Sequence, residues 1–170
     1  LNPQPADTPF AGANYDTPRS EFTLVFAPAA ASIVLHQPWP KITEVPVTAT
    51  NPTLMSPALL RQVAAGKAPF DHYLGRFGQA YPLWDEAAVA VWLDPSLIRS
   101  STQRFVDIDT SFTADYGATL SWDTRLATDP QPTPVDVALT LDVPKLDSLV
   151  VRLLSAAHPV SLRQEPPQAH

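Results

Sequence analysis

Cysteine is absent from all 170 residues, so neither a disulfide nor a thiolate metal site can hold any part of this chain together. That absence leaves the compartment open, since secretion and the cytosol are both compatible with it. Long hydrophobic runs are missing too. Even residues 135–143 are broken by Asp136 and Asp142, so nothing reaches membrane-spanning length, and no signal-peptide pattern is visible. Positive charge is scarce. Eleven Lys and Arg stand singly against seventeen Asp and Glu, giving a formal net charge of −6 at pH 7. Binding to a phosphate backbone needs clustered cations, so this balance argues against nucleic acid as a partner. Glycine is sparse, with five against twenty prolines. Several prolines stand where an element should begin, at Pro28, Pro57 and Pro144, where a missing N–H costs nothing. Others crowd the two ends, which read as irregular.

What is present suffices for one domain. Hydrophobic residues make up 45% and charged residues 16%, enough to build a core. Residues 1–20 carry no sustained period and read as a loop, residues 21–156 as an α/β unit, and residues 157–170 as a Pro-rich tail. Within the unit, residues 22–26 form an apolar run expected to be a buried strand. Residues 29–35 read as a helix with Pro28 in its first turn, and residues 41–48 as a second strand. Ser56-Pro57 is a helix start, with Ser as cap and Gly66 as stop. Residues 70–80 form an amphipathic helix through Phe70, Tyr73, Leu74 and Phe77. Residues 85–93 are almost wholly apolar after an acidic first turn, which predicts a buried helix. Val106 and Ile108 alternate with Asp107 and Asp109, and Val135, Val137, Leu139 and Leu141 repeat the pattern. Residues 144–156 close the unit as a helix. This order predicts an α/β fold: part of an open, mostly parallel Rossmann-like sheet flanked by helices, with a small antiparallel part near the C-terminus.

Order and spacing then point to a family. Residues 21–31, Glu-Phe-Thr-Leu-Val-Phe-Ala-Pro-Ala-Ala-Ala, resemble the stretch of inosine/uridine-preferring nucleoside hydrolases that runs from an acidic residue, an apolar residue and Asn into Asp-Pro-Glu-Ala-Ala. Residues 41–51 are similar to the family strand that ends in Val-Thr and His or Asn. Residues 84–90 with Leu93-Asp94-Pro95 resemble the Asp-Pro-Leu-Ala-Ala helix and its Leu-Asp-Pro exit, and residues 81–86 look most like fungal members. The resemblance covers roughly residues 14–156. Family members are about twice as long and open with an Asp-rich loop that has no counterpart here. The resemblance is therefore to the C-terminal half alone, as a fragment, one half of a split protein or a degenerate relative.

The resemblance implies hydrolysis of the N-glycosidic bond of ribonucleosides at a Ca²⁺ site, a reaction of nucleoside salvage. Calcium suits that task because its loose geometry can hold sugar, water and carboxylates together. It implies no catalytic residue in this chain, because the Asp loop is missing. Asp85 matches the C-terminal metal-ligand Asp; read without the resemblance, it is a helix-start carboxylate facing the free N–H groups. Glu21 matches an acidic residue that contacts the ribose, and is otherwise a solvated loop charge. Asn14 is the candidate for an upstream sugar-binding Asn, one residue further from Glu21 than usual. Thr23 stands where many members have a sugar-binding Asn, and its shorter side chain lacks the paired amide donor and acceptor. Trp84 replaces a His credited with assisting the leaving base; an indole cannot give up a proton at neutral pH, but it can stack on a purine. Ala27 replaces the usual Asp before Pro28. Asp107 and Asp109 read as a solvent-facing strand edge, and the four histidines show no metal-ligand spacing.

Two readings follow. In the first, the chain is the C-terminal part of an oligomeric nucleoside N-ribohydrolase with a ribonucleoside as substrate, active only with its missing N-terminal half. In the second, it is a catalytically inactive interaction module that pairs with itself or with another chain. Neither involves nucleic acid or a membrane.

Overall fold

Ser56 and Pro57 open a helix as their chemistry dictates: the Ser56 hydroxyl accepts from the Leu59 N–H at 3.1 Å, and Pro57 takes the first turn. The computed structural model describes residues 20–66, 69–124 and 131–155. Residues 1–19, with Asn14 and nearly all of the expected 1–20 loop, and residues 156–170, with the expected 157–170 tail, lie outside them. The described chain runs α1 (Phe22–Val25), α2 (Pro28–Leu35), β1 (Ile42–Glu44), α3 (Val47–Thr50), α4 (Pro57–Ala64), α5 (Pro69–Phe77) and α6 (Trp84–Leu93). A single 3₁₀ turn (Pro95–Leu97) leads into β2 (Ile98–Ile108), β3 (Thr119–Trp122), β4 (Val135–Leu141) and α7 (Val143–Leu154).

The four strands form one sheet in the order β1-β4-β2-β3. β1 and β4 are parallel, whereas β2 pairs antiparallel with both β4 and β3. The sheet is therefore mixed and flanked by helices, an α/β layer arrangement. Helices cover both faces. On one, α4, α6 and α7 pack Leu59, Ala87, Val91, Leu146 and Leu149 against Ala138 and Leu141 of β4. On the other, Leu35 of α2 meets Val106, Ile108, Val135 and Val137.

Three local expectations are corrected. The run at residues 22–26 is a one-turn helix, not a buried strand, with the Glu21 carbonyl accepting from both Leu24 and Val25. Phe22 and Phe26 are exposed and pack edge-to-face on each other, 5.0 Å between centroids. A run of five residues, four of them apolar, is too short for periodicity to separate strand from helix. Likewise, strand pairing ends at Glu44, and the following residues turn into α3 after Pro46. Helix α6, expected to be buried, hides only Ala87, Ala90 and Val91, while Trp92 is 80% exposed. Beyond its acidic first turn the helix is apolar on every side, yet among the described residues one side alone has a neighbour to pack on.

The alternation in β4 also breaks. Val135 and Val137 point to α2, but Leu139 is exposed and Leu141 joins the opposite core. The β2–β4 register shifts between Ile98, Ser100 and Ser101, opposite this point. An irregularity of one residue moves every later side chain to the other face.

Candidate functional site

Where β1 ends, the chain passes through Val45 and Pro46 into α3, and a cavity opens beside it. Its volume is about 560 Å³, and Glu21, Thr23, Val47, Thr50, Trp84 and Asp85 are among its lining residues. Four of the five residues singled out from the sequence thus meet at one place, although Glu21 and Asp85 are far apart in the chain. The fifth, Asn14, lies outside the described residues.

Glu21 is held from three sides. It is the N-terminal flank of α1, its N–H donates to Thr119 Oγ1 on β3 at 3.1 Å, and its Oε2 accepts from the Val47 N–H at the start of α3, at 3.4 Å. Burial pushes its carboxyl pKa up, against the pull of that backbone N–H. Thr23 is exposed on α1 beside it. Trp84 begins α6, half-buried, with its indole N–H donating to Asn51 Oδ1 at 2.8 Å. Asp85 follows in the first turn of α6 and is exposed, where a carboxylate meets the positive end of the helix dipole.

A second, more open cavity of about 450 Å³ runs between α2 and β1. Leu24, Ala27, Ala31, Val34, Ile42 and Val45 are among its walls, with Glu21 and Glu44 on its lining. Glu44 was not singled out from the sequence. Its Oε1 is buried without a hydrogen-bond partner among the described residues, and its pKa is raised to about 7, first by burial and then by the charge of Glu21. The available signal was a lone carboxylate inside a β-rich run. Asn51 was noticed only as a strand ending; its bond to Trp84 spans 33 positions and has no local signature. Asp107, expected to face solvent, is half-buried with its Oδ2 3.7 Å from His36 Nε2. Asp109 instead closes a local turn by accepting from the Ser111 N–H.

Calcium needs about six to eight oxygen ligands. Among the described residues there is no group of three or more His, Asp or Glu side chains that could hold a metal ion. Asp85 offers one carboxylate, and these residues alone do not fit the ion.

A cavity beyond the carboxyl end of a parallel strand is where α/β folds place their small-molecule sites. Comparison with known proteins makes that class specific. The sequence profile of the inosine-uridine preferring nucleoside hydrolases matches residues 10–148, and the chain belongs to this family. Among solved structures it is similar to a plant nucleoside hydrolase, with a TM-score of 0.69 and 24% identity over 83% of this chain and 49% of that one. It is also similar to an inosine-guanosine nucleoside hydrolase, with a TM-score of 0.65 and 16% identity over 77% of this chain and 44% of that one. At these identities the likeness establishes the fold. The chain spans about half the length of these solved relatives. No curated protein sequence matches it.

Proposed function

We propose that this chain is the C-terminal portion of a nucleoside N-ribohydrolase, acting on the N-glycosidic bond of ribonucleosides together with an N-terminal half. The carrying observation is the convergence of Glu21, Thr23, Trp84 and Asp85 on one cavity next to the carboxyl end of β1. In this reading the Glu21 carboxylate accepts hydrogen bonds from ribose hydroxyls, and Thr23 adds a single hydroxyl. The Trp84 ring stacks on the base. Asp85 is one ligand of the Ca²⁺ that the family resemblance implies, with the remaining ligands supplied from outside the described residues. The chemistry of that ion would be to bind sugar hydroxyls and a water molecule.

The need for a second half is supported by β1, which pairs only with β4 among the described residues and so leaves one edge of the sheet open. Beside that edge lies the apolar trough of Leu24, Ala27, Val34 and Ile42. An open edge next to apolar walls is suited to receive further strands.

The alternative, an inactive interaction module, is favoured by the outer face of α6, where Val89, Trp92 and Leu93 are all exposed. The two readings separate in one assay: release of ribose from inosine and uridine with Ca²⁺, by the chain alone and with a complementary N-terminal half, using Asp85→Ala as control. Hydrolysis that appears only with both halves and is lost in the control supports the hydrolase. No hydrolysis in any combination sinks it in favour of the module.

A further inference from the structure

Asn51 closes α3. Its backbone is in the right-handed helical region, and its N–H donates to the Val47 carbonyl at 2.8 Å. Two residues later, buried Thr53 ties this turn to the entrance of α6. The Thr53 N–H donates to the Thr50 carbonyl at 2.8 Å, its hydroxyl donates to the same oxygen at 2.6 Å, and its own carbonyl accepts from the Leu83 N–H at 3.0 Å. Leu83 immediately precedes Trp84. The backbones carrying Asn51 and Trp84 are therefore held in register by bonds that involve neither side chain. Across this frame the Trp84 indole N–H donates to Asn51 Oδ1 at 2.8 Å. The other end of the amide, Nδ2, is buried with no hydrogen-bond partner among the described residues. An amide kept for packing stability alone would satisfy its donor. Among the described residues, only the half turned to Trp84 is used.

We propose that Asn51 is a positioning residue for Trp84: it captures the indole N–H, so that the ring meets an occupant of the cavity as a π surface and not as a hydrogen-bond donor. The identity of that occupant rests on the nucleoside reading above, whereas the Asn51–Trp84 latch does not. A ring so held discriminates by base area, favouring a purine over a pyrimidine because more surface overlaps. It also leaves the edge of the base to other groups.

The latch is read without any nucleoside by the indole ¹H–¹⁵N resonances of the chain's four tryptophans, with Trp84→Phe assigning the signal. In the wild-type chain the Trp84 indole proton exchanges with deuterium more slowly than that of Trp92, whose side chain is 80% exposed. Equal exchange would overturn the proposal even if no variant folds. Asn51→Leu moves the Trp84 signal upfield, and Asn51→Asp, which keeps the acceptor, holds it in place. Inosine and uridine then read selectivity, with the complementary half present. Asn51→Leu narrows the inosine-to-uridine affinity ratio by about tenfold, equivalent to roughly 1.4 kcal/mol, and Asn51→Asp restores it. A moved signal with an unchanged ratio overturns the positioning role. If the wild-type pair binds neither nucleoside, the hydrolase reading fails, and the indole signal alone judges the latch.

Discussion

Glu21 and Glu44 line one apolar trough, and the charge of the first adds to burial in raising the carboxyl pKa of the second to about 7. An ordinary carboxyl in the unfolded chain titrates near 4.5. Between these two values the folded state binds a proton that the unfolded state has released, so stability falls as pH rises through the window and levels off above it. Glu21 is shifted in the same direction and adds to the slope. Glu44→Gln removes the ionisation. The variant should match the wild type near pH 4 and exceed it at pH 8 by on the order of 1–3 kcal/mol. Urea unfolding at the two pH values checks this; an equal difference at both would show that Glu44 does not titrate in the window.

Asp85 separates activity from stability. Its side chain is exposed in the first turn of α6, so Asp85→Ala should leave the unfolding midpoint within about 0.5 kcal/mol of the wild type. If the hydrolase reading holds, the same substitution should abolish measurable ribose release once a complementary N-terminal half is added. A large loss of stability would instead make Asp85 a structural helix-start carboxylate.

Val34 tests the open edge. It is 52% exposed on a wall of the trough, so Val34→Asp should barely alter the melting of the isolated chain. It should weaken association with an N-terminal half by about tenfold or more, roughly 1.4 kcal/mol, because a carboxylate would have to be buried in an apolar contact. Titration calorimetry of the two halves reads the difference. An unchanged affinity would place the partner elsewhere.

Leu146 tests the core between α7 and β4. It is 1% exposed and belongs to the larger apolar cluster. Leu146→Ala should cost about 2–5 kcal/mol, seen as a lower denaturant midpoint at an unchanged slope.

Much of the fold was legible in local chemistry. The Ser56 cap, the prolines opening α2, α4 and α7, and the apolar spacing of Leu146, Leu149 and Val150 are rules of a single turn or stripe. The residues of the candidate site were legible through family order, which carries identities but not contacts. Glu44 was missed because what distinguishes it is lost solvent and the nearness of Glu21, and neither is written within a few residues of it. Residues 22–26 were misread because one apolar turn and one apolar strand look alike at that length.

The sequence by itself determined which segments could be helices and strands, the absence of cysteine chemistry, the excess of acidic over basic residues, and the family whose order of motifs it follows. Those properties depend on neighbouring residues and on composition. Only the tertiary structure decided which side of α6 is covered, where the β4 alternation slips, and that the Trp84 indole is held by Asn51 beside a cavity shared with Glu21 and Asp85. Each of these depends on groups far apart in the chain brought within bonding or packing distance, and the free energy that selects them exists only once both partners are in place.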